Sequence, residues 1–73
     1  LTEGESHEEV QANMKAIADV IESEPAFIGF SSRIIEQMRN IPQGDDVFKP
    51  VDYANRLLDR MYDFADANRI WIA

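Results

Sequence analysis

The chain has 73 residues, 14 acidic and 7 basic, for a formal net charge of −7, and it contains no cysteine. That length allows one domain, with a core that buries only about 60% of the unfolded surface. The composition excludes disulfides and thiolate zinc sites, and the charge repels phosphate and so argues against direct nucleic-acid binding. No apolar run approaches the roughly 20 residues that span a bilayer, and no signal peptide is visible. A cysteine-free chain of this kind fits a reducing, cytoplasmic compartment. Because it begins at Leu1, a fragment of a longer chain is an open alternative to a single domain over 1–73.

Leu1 to Glu5 reads as a lead-in. Ser6-His7-Glu8-Glu9 fits a capping box with Ser6 at the N-cap, and Glu8 and Glu9 suit the positive end of the helix dipole. Val10, Met14, Ile17 and Ile21 then lie on one helical face, with Ala18 and Val20 beside it. Pro25 stops this helix near Ser23 or Glu24 and can itself open the next. Phe27, Phe30, Ile34, Met38 and Ile41 recur at helical spacing, widened by Ile28 and Ile35. This most apolar stretch predicts a continuous central helix ending before Pro42.

Pro42 to Asp46 reads as a loop, with Asp45 or Asp46 free to cap a third helix in which Pro50 occupies the first turn. Val51, Ala54, Leu58, Met61 and Ala65 form its inner row, with Leu57 and Phe64 alongside. Asp52–Arg56 and Arg60–Asp63 have the spacing of exposed ion pairs. The pattern fades at Ala67-Asn68, and Asn is a usable residue just past a helix end. The expected fold is all-α, with helices of roughly 18, 15 and 20 residues in a three-helix bundle or open helical array. A short apolar tail, Ile70-Trp71-Ile72, follows the last helix.

Groups that carry chemistry are sparse. His7 is the only histidine and reads as solvated surface; a serine-centred triad could run only through it, and no acidic partner is spaced to orient it. Gly4, Gly29 and Gly44 are isolated and build no phosphate loop. Asp59, Asp63 and Asp66 share a helix face and could hold Mg²⁺ if a second helix added a ligand. Helical nucleotide pyrophosphatases use paired acidic motifs, but Glu5, Glu8, Asp19 and Glu22 depart from them in spacing and type. No cofactor or metal is expected. The four basic residues of the second and third helices do not form a block.

Two stretches resemble parts of known families. Leu1-Thr2-Glu3-Gly4-Glu5-Ser6-His7-Glu8-Glu9-Val10-Gln11-Ala12-Asn13-Met14-Lys15-Ala16-Ile17 resembles the strand-to-helix segment of HicB-type antitoxins. That family's preceding strands are missing, so its fold is not carried over. Phe64-Ala65-Asp66-Ala67-Asn68-Arg69-Ile70-Trp71 is similar to the C-terminal end of CcdA-type antitoxins, whose acidic tail neutralises a toxin. The upstream ribbon-helix-helix pattern is absent. Both resemblances imply the same class, a small acidic neutraliser.

The expected function is therefore an acidic protein-binding or inhibitory module that masks a partner's basic surface, as antitoxins, immunity proteins or phage anti-defence proteins do. The candidate partner-binding residues are Phe27, Phe30, Ile34, Asp59, Asp63, Asp66, Ile70, Trp71 and Ile72. A homo-oligomer is a further option for the surplus apolar surface. Two alternatives stand beside this reading: a structural helical subunit of a larger assembly, and a metal-dependent helical hydrolase built on the three aspartates.

Overall fold

The computed structural model describes residues 4–72, so Leu1, Thr2 and Glu3 of the lead-in and Ala73 of the tail lie outside the described residues. Three α-helices follow one another: α1 (His7–Ser23), α2 (Ser32–Arg39) and α3 (Pro50–Ala67), with a 3₁₀ turn, Pro25–Phe27, between the first two. No strand occurs among the described residues. The architecture is the all-α bundle or array expected from periodicity. Its Cα radius of gyration of 12.4 Å exceeds the about 11 Å of a fully compact chain this long. The molecule is correspondingly elongated, 37 × 20 × 18 Å.

Helix α1 starts where the capping box places it. The Glu9 N–H donates to the Ser6 hydroxyl and the Ser6 N–H donates to the Glu9 carboxylate. Two first-turn donors are thus satisfied at the point where a helix has no backbone acceptors to offer. It ends at Ser23, with Glu24 extended ahead of Pro25.

The central helix departs from expectation. In place of one helix from Pro25 to Ile41, the chain makes a 3₁₀ turn, reverses, and forms an α2 of only eight residues. Three successive i+3 bonds carry the turn: Phe27 N–H to Glu24 O, Ile28 N–H to Pro25 O, and Phe30 N–H to Phe27 O. Gly29 then sits at φ +91°, a left-handed conformation that glycine adopts without a Cβ penalty. Ser31 recaps the chain by accepting the Ile34 N–H. The break lets Phe27 and Phe30 leave the α2 stripe and pack with Phe64 of α3. Ring centroids lie 5.7 Å apart for Phe27–Phe64, 5.2 Å for Phe30–Phe64 and 6.0 Å for Phe27–Phe30. Such aromatic pairs add about 0.5–1.5 kcal/mol each beyond the area they bury.

The start of α3 also differs. Its N-cap is Lys49, without a side-chain cap, and Pro50 is the first helical residue. Neither Asp45 nor Asp46 caps the helix. The Asp45 carboxylate closes the preceding turn instead, accepting from Val47 N–H at 2.8 Å and Phe48 N–H at 2.6 Å. Gly44 is needed beside it, because a Cβ there would lie 2.7 Å from the Pro50 ring.

The core runs between the three helices. Helix α1 contributes Val10, Met14, Ala18 and Ile21; α3 contributes Val51, Ala54, Leu57, Met61 and Ala65; Phe27, Met38 and Ile41 complete it. No polar or charged residue is buried among the described residues. The end of α2 is tied to α1 through side chains that the sequence reading passed over. Gln11 donates to Met38 O at 3.0 Å and accepts from the Ile41 N–H at 2.7 Å. His7 is half-buried, not solvated: its Nε2 pairs with Ile41 O at 2.5 Å and its Nδ1 with the Gln43 amide at 3.2 Å.

Candidate functional site

The C-terminal tail is positioned by the way α3 ends. Asn68 is the C-cap, at φ −105°, and Arg69 takes the left-handed place at φ 55°. The Ile70 N–H then reaches back to Ala65 O at 2.8 Å and the Arg69 N–H to Asp66 O at 3.3 Å. These two bonds are a Schellman closure, made here on arginine instead of glycine. They reverse the chain so that the tail runs back along the helix.

The reversal splits the tail. Ile70 and Ile72 pack against the core, while Trp71 between them is 85% exposed. Alternation of this kind is what an extended segment imposes on successive side chains. The tail is therefore partly core and partly surface, and the large indole is on the surface side.

Ile72 closes one end of an apolar groove between α1 and α3. Ala16, Ile17, Val20 and Ile21 form one wall, Leu58, Met61 and Tyr62 the other, and Phe27 lies at the same groove. Its volume is about 380 Å³. Val20 is 62% exposed and Tyr62 is also exposed, so apolar surface continues onto the rim. Asp59 and Asp66 stand three before and four after Tyr62, which places them beside it on the outer face of α3. Both are exposed. The groove is thus an apolar strip with an acidic border.

The candidate residues fall into three groups. Ile72 lines the groove and Ile70 packs on the core, while Trp71 between them is exposed and is not part of the groove lining; Asp59 and Asp66 stand beside Tyr62 of the groove wall. Phe27, Phe30 and Ile34 belong to the packing around the core, with Phe27 only 9% exposed. Asp63 lies farther round α3, at a shallow hollow with Gly29, Phe30 and Arg60. Among the described residues no three acidic or histidine side chains come close enough together to hold a metal ion, so the three aspartates acquire no ligand from another helix. Sequence reasoning missed Ala16 and Tyr62; Tyr62 was legible as a large group one position off the inner row.

The pairings expected along α3 do not form either. Among the described residues the ion pairs are those of Arg39, to Asp19 at 2.9 Å and Glu22 at 2.8 Å, linking α2 to α1. The bonds to Glu22 first, and to Asp19 second, raise the Arg39 pKa above its already high ordinary value. Asp45 is shifted the other way. The N–H groups of Phe48 and then Val47, with Lys49 nearby, hold its carboxyl below the ordinary carboxylate range.

No family model matches the chain, and no curated protein or solved structure matches it either. No described helix is long and apolar enough to cross a membrane.

Proposed function

We propose that this chain is a small acidic protein-binding module of the inhibitory kind, docking a basic, amphipathic helix of its partner into the α1–α3 groove. The observation that carries the reading is a groove whose walls are almost wholly apolar, closed at one end by Ile72, whose sequence neighbour Trp71 is exposed. An indole left in water is of the residue type enriched at interface hot spots. Helix-in-groove recognition needs an apolar floor for anchors at helical spacing, and this groove offers a floor of that form. The acidic border, on a chain of net charge −7, supplies the complement for lysines and arginines flanking such anchors. Covering the partner's basic surface then neutralises it, the role that the antitoxin-like stretches imply.

The test places a photo-crosslinking phenylalanine analogue at Trp71 in the cells that make the protein and maps the adducts. Support consists of a recurring adduct on one basic, amphipathic helical segment, lost when Val20→Asp fills the groove with charge and retained in Ile28→Ser, which changes an exposed apolar residue elsewhere. Adducts only to a second copy of this chain, or scattered over unrelated proteins without sensitivity to Val20→Asp, would overturn it.

A further inference from the structure

A second concavity lies on the opposite side of α3, against α2. It is a half-open cleft of about 430 Å³ lined by Ser31, Arg33, Ile34, Gln37, Tyr53, Arg56, Leu57 and Arg60. Three of the chain's seven basic residues face this one space, brought together from sequence positions more than twenty apart. Their placement is unusual in a chain with twice as many acids as bases. Arg56 and Arg60 are four residues apart on a helix, a like-charge spacing that is unfavourable by itself. Asp52 and Asp63 stand at the spacings that would pair with them, yet among the described residues neither forms an ion pair, and Arg33 forms none. All three arginines line the cleft, and none of them is neutralised by an ion pair among the described residues.

We propose that the α2–α3 cleft is a binding site for a small polyphosphate-bearing ligand, its phosphates held by Arg33, Arg56 and Arg60. Guanidinium groups present planar pairs of donors that match phosphate oxygens bidentately. Arg56 and Arg60 are about 6 Å apart along the helix axis, so linked phosphates can engage both turns where a single phosphate engages one. The N-terminus of α2 opens at the same place. Its cap Ser31 takes only the Ile34 N–H, which leaves the Ser32 and Arg33 amides without an intrahelical acceptor and the positive end of the helix toward the cleft. Gln37 and the Ser31 hydroxyl add neutral polar groups, and Tyr53 gives an aromatic wall for an organic moiety attached to the phosphates. The volume is within the range of small-ligand sites.

The overall charge works against an anion at long range, and local charge decides the balance. Lys49, Asp52 and Asp63 line the hollows adjoining the cleft. Counted with Glu36 and Asp59, which stand three residues after Arg33 and Arg56, the acids around the cleft equal the four bases in number, but none of these acids lines the cleft itself, whereas three of the bases do. The remaining acids act through a screening length of about 8 Å at physiological ionic strength.

The experiment is a titration of the ¹⁵N-labelled protein followed by NMR, reading backbone amides and arginine Nε–H signals. The probes are inorganic triphosphate, ATP and, as a comparison, sulfate. The expected result is saturable binding of triphosphate or ATP below about 1 mM, with the shifts confined to residues 31–37 and 53–60. Affinity should fall about tenfold or more in Arg33→Gln/Arg56→Gln, where charge-assisted bonds are lost, and not in Lys15→Gln. A tighter constant for ATP than for triphosphate, abolished by Tyr53→Leu, assigns the ligand as a nucleotide; equal constants assign the bare polyphosphate. No saturation by millimolar anion, sulfate binding as tightly as triphosphate, or binding that survives the double substitution would overturn the proposal. Amide spectra of each variant establish that it is folded, so loss of binding cannot be confused with loss of structure.

Discussion

Two residues of the tail carry opposite expectations although they are neighbours. Trp71 is almost fully exposed, so Trp71→Ala should change unfolding free energy by less than about 0.5 kcal/mol. Ile72 packs on the core, so Ile72→Ala should cost about 1 kcal/mol, less than a fully buried isoleucine would. Urea denaturation followed by circular dichroism measures both without relying on the indole. Comparable losses at the two positions would mean that the indole packs home. Arg69 supplies a second residue-scale prediction. It holds φ 55°, where a side chain costs roughly 1–2 kcal/mol, while glycine carries an unfolded-state entropy cost of its own. Arg69→Gly should therefore stabilise the protein by about 0.5–1 kcal/mol in the same assay. This closure is hard to read from residue types because the usual marker, glycine after the helix, is absent; Asn68 draws the expectation one residue early.

At the scale of elements, what was legible followed from how local the cause was. The α1 start is a four-residue signal, Ser6 to Glu9, and it formed as read. Periodicity predicts one central helix because Phe27, Phe30 and Ile34 keep a helical period across a break that the structure places between them. The signals for that break, Gly29 and a capping Ser31, are single residues that periodicity outweighed. The attachment of α2 depends on partners far along the chain, and Gln11 is the test of it. Gln11→Ala removes two bonds to the backbone at Met38 and Ile41 and should cost about 1–3 kcal/mol, a penalty for leaving half-buried backbone groups unpaired. Amide exchange should quicken at residues 38–41 more than in the middle of α3; uniform quickening would mean that the two helices open together. The loop before α3 carries a pH dependence. Asp45 is held below the ordinary carboxylate range by the Phe48 and Val47 N–H groups, so its contribution is fully present above the unfolded value of about 3.9. It is lost as pH falls through the lower folded value. Asp45→Asn should flatten the decline in stability on acidification below about pH 4, read as thermal midpoint against pH; an unchanged slope would assign the decline to other carboxylates.

For the whole molecule, the all-α class was legible because three stretches keep helical period, whereas the functional faces were not. The α1–α3 groove and the α2–α3 cleft each need two helices to exist, and Arg33 meets Arg56 and Arg60 only after the chain has folded back at residues 40–49. Charge at this scale yields one more expectation. Salt screens attraction and repulsion alike, so its net effect on stability depends on which dominates. Here the attractive side among the described residues is the Arg39 pairing with Asp19 and Glu22, both exposed. The repulsive side is a net charge of −7 on 73 residues, together with the three arginines gathered at one cleft. Repulsion should win, and raising sodium chloride from low to physiological strength should raise the thermal midpoint. A gain of about 1 kcal/mol would appear as roughly 4–8 °C in a chain of this size. Triphosphate compared at equal ionic strength should raise the midpoint further if the arginine cleft binds it, because a ligand that binds only the folded state stabilises by mass action. A midpoint that falls with salt would show that attraction between the acids and the α3 arginines, which form no ion pair among the described residues, outweighs their mutual repulsion.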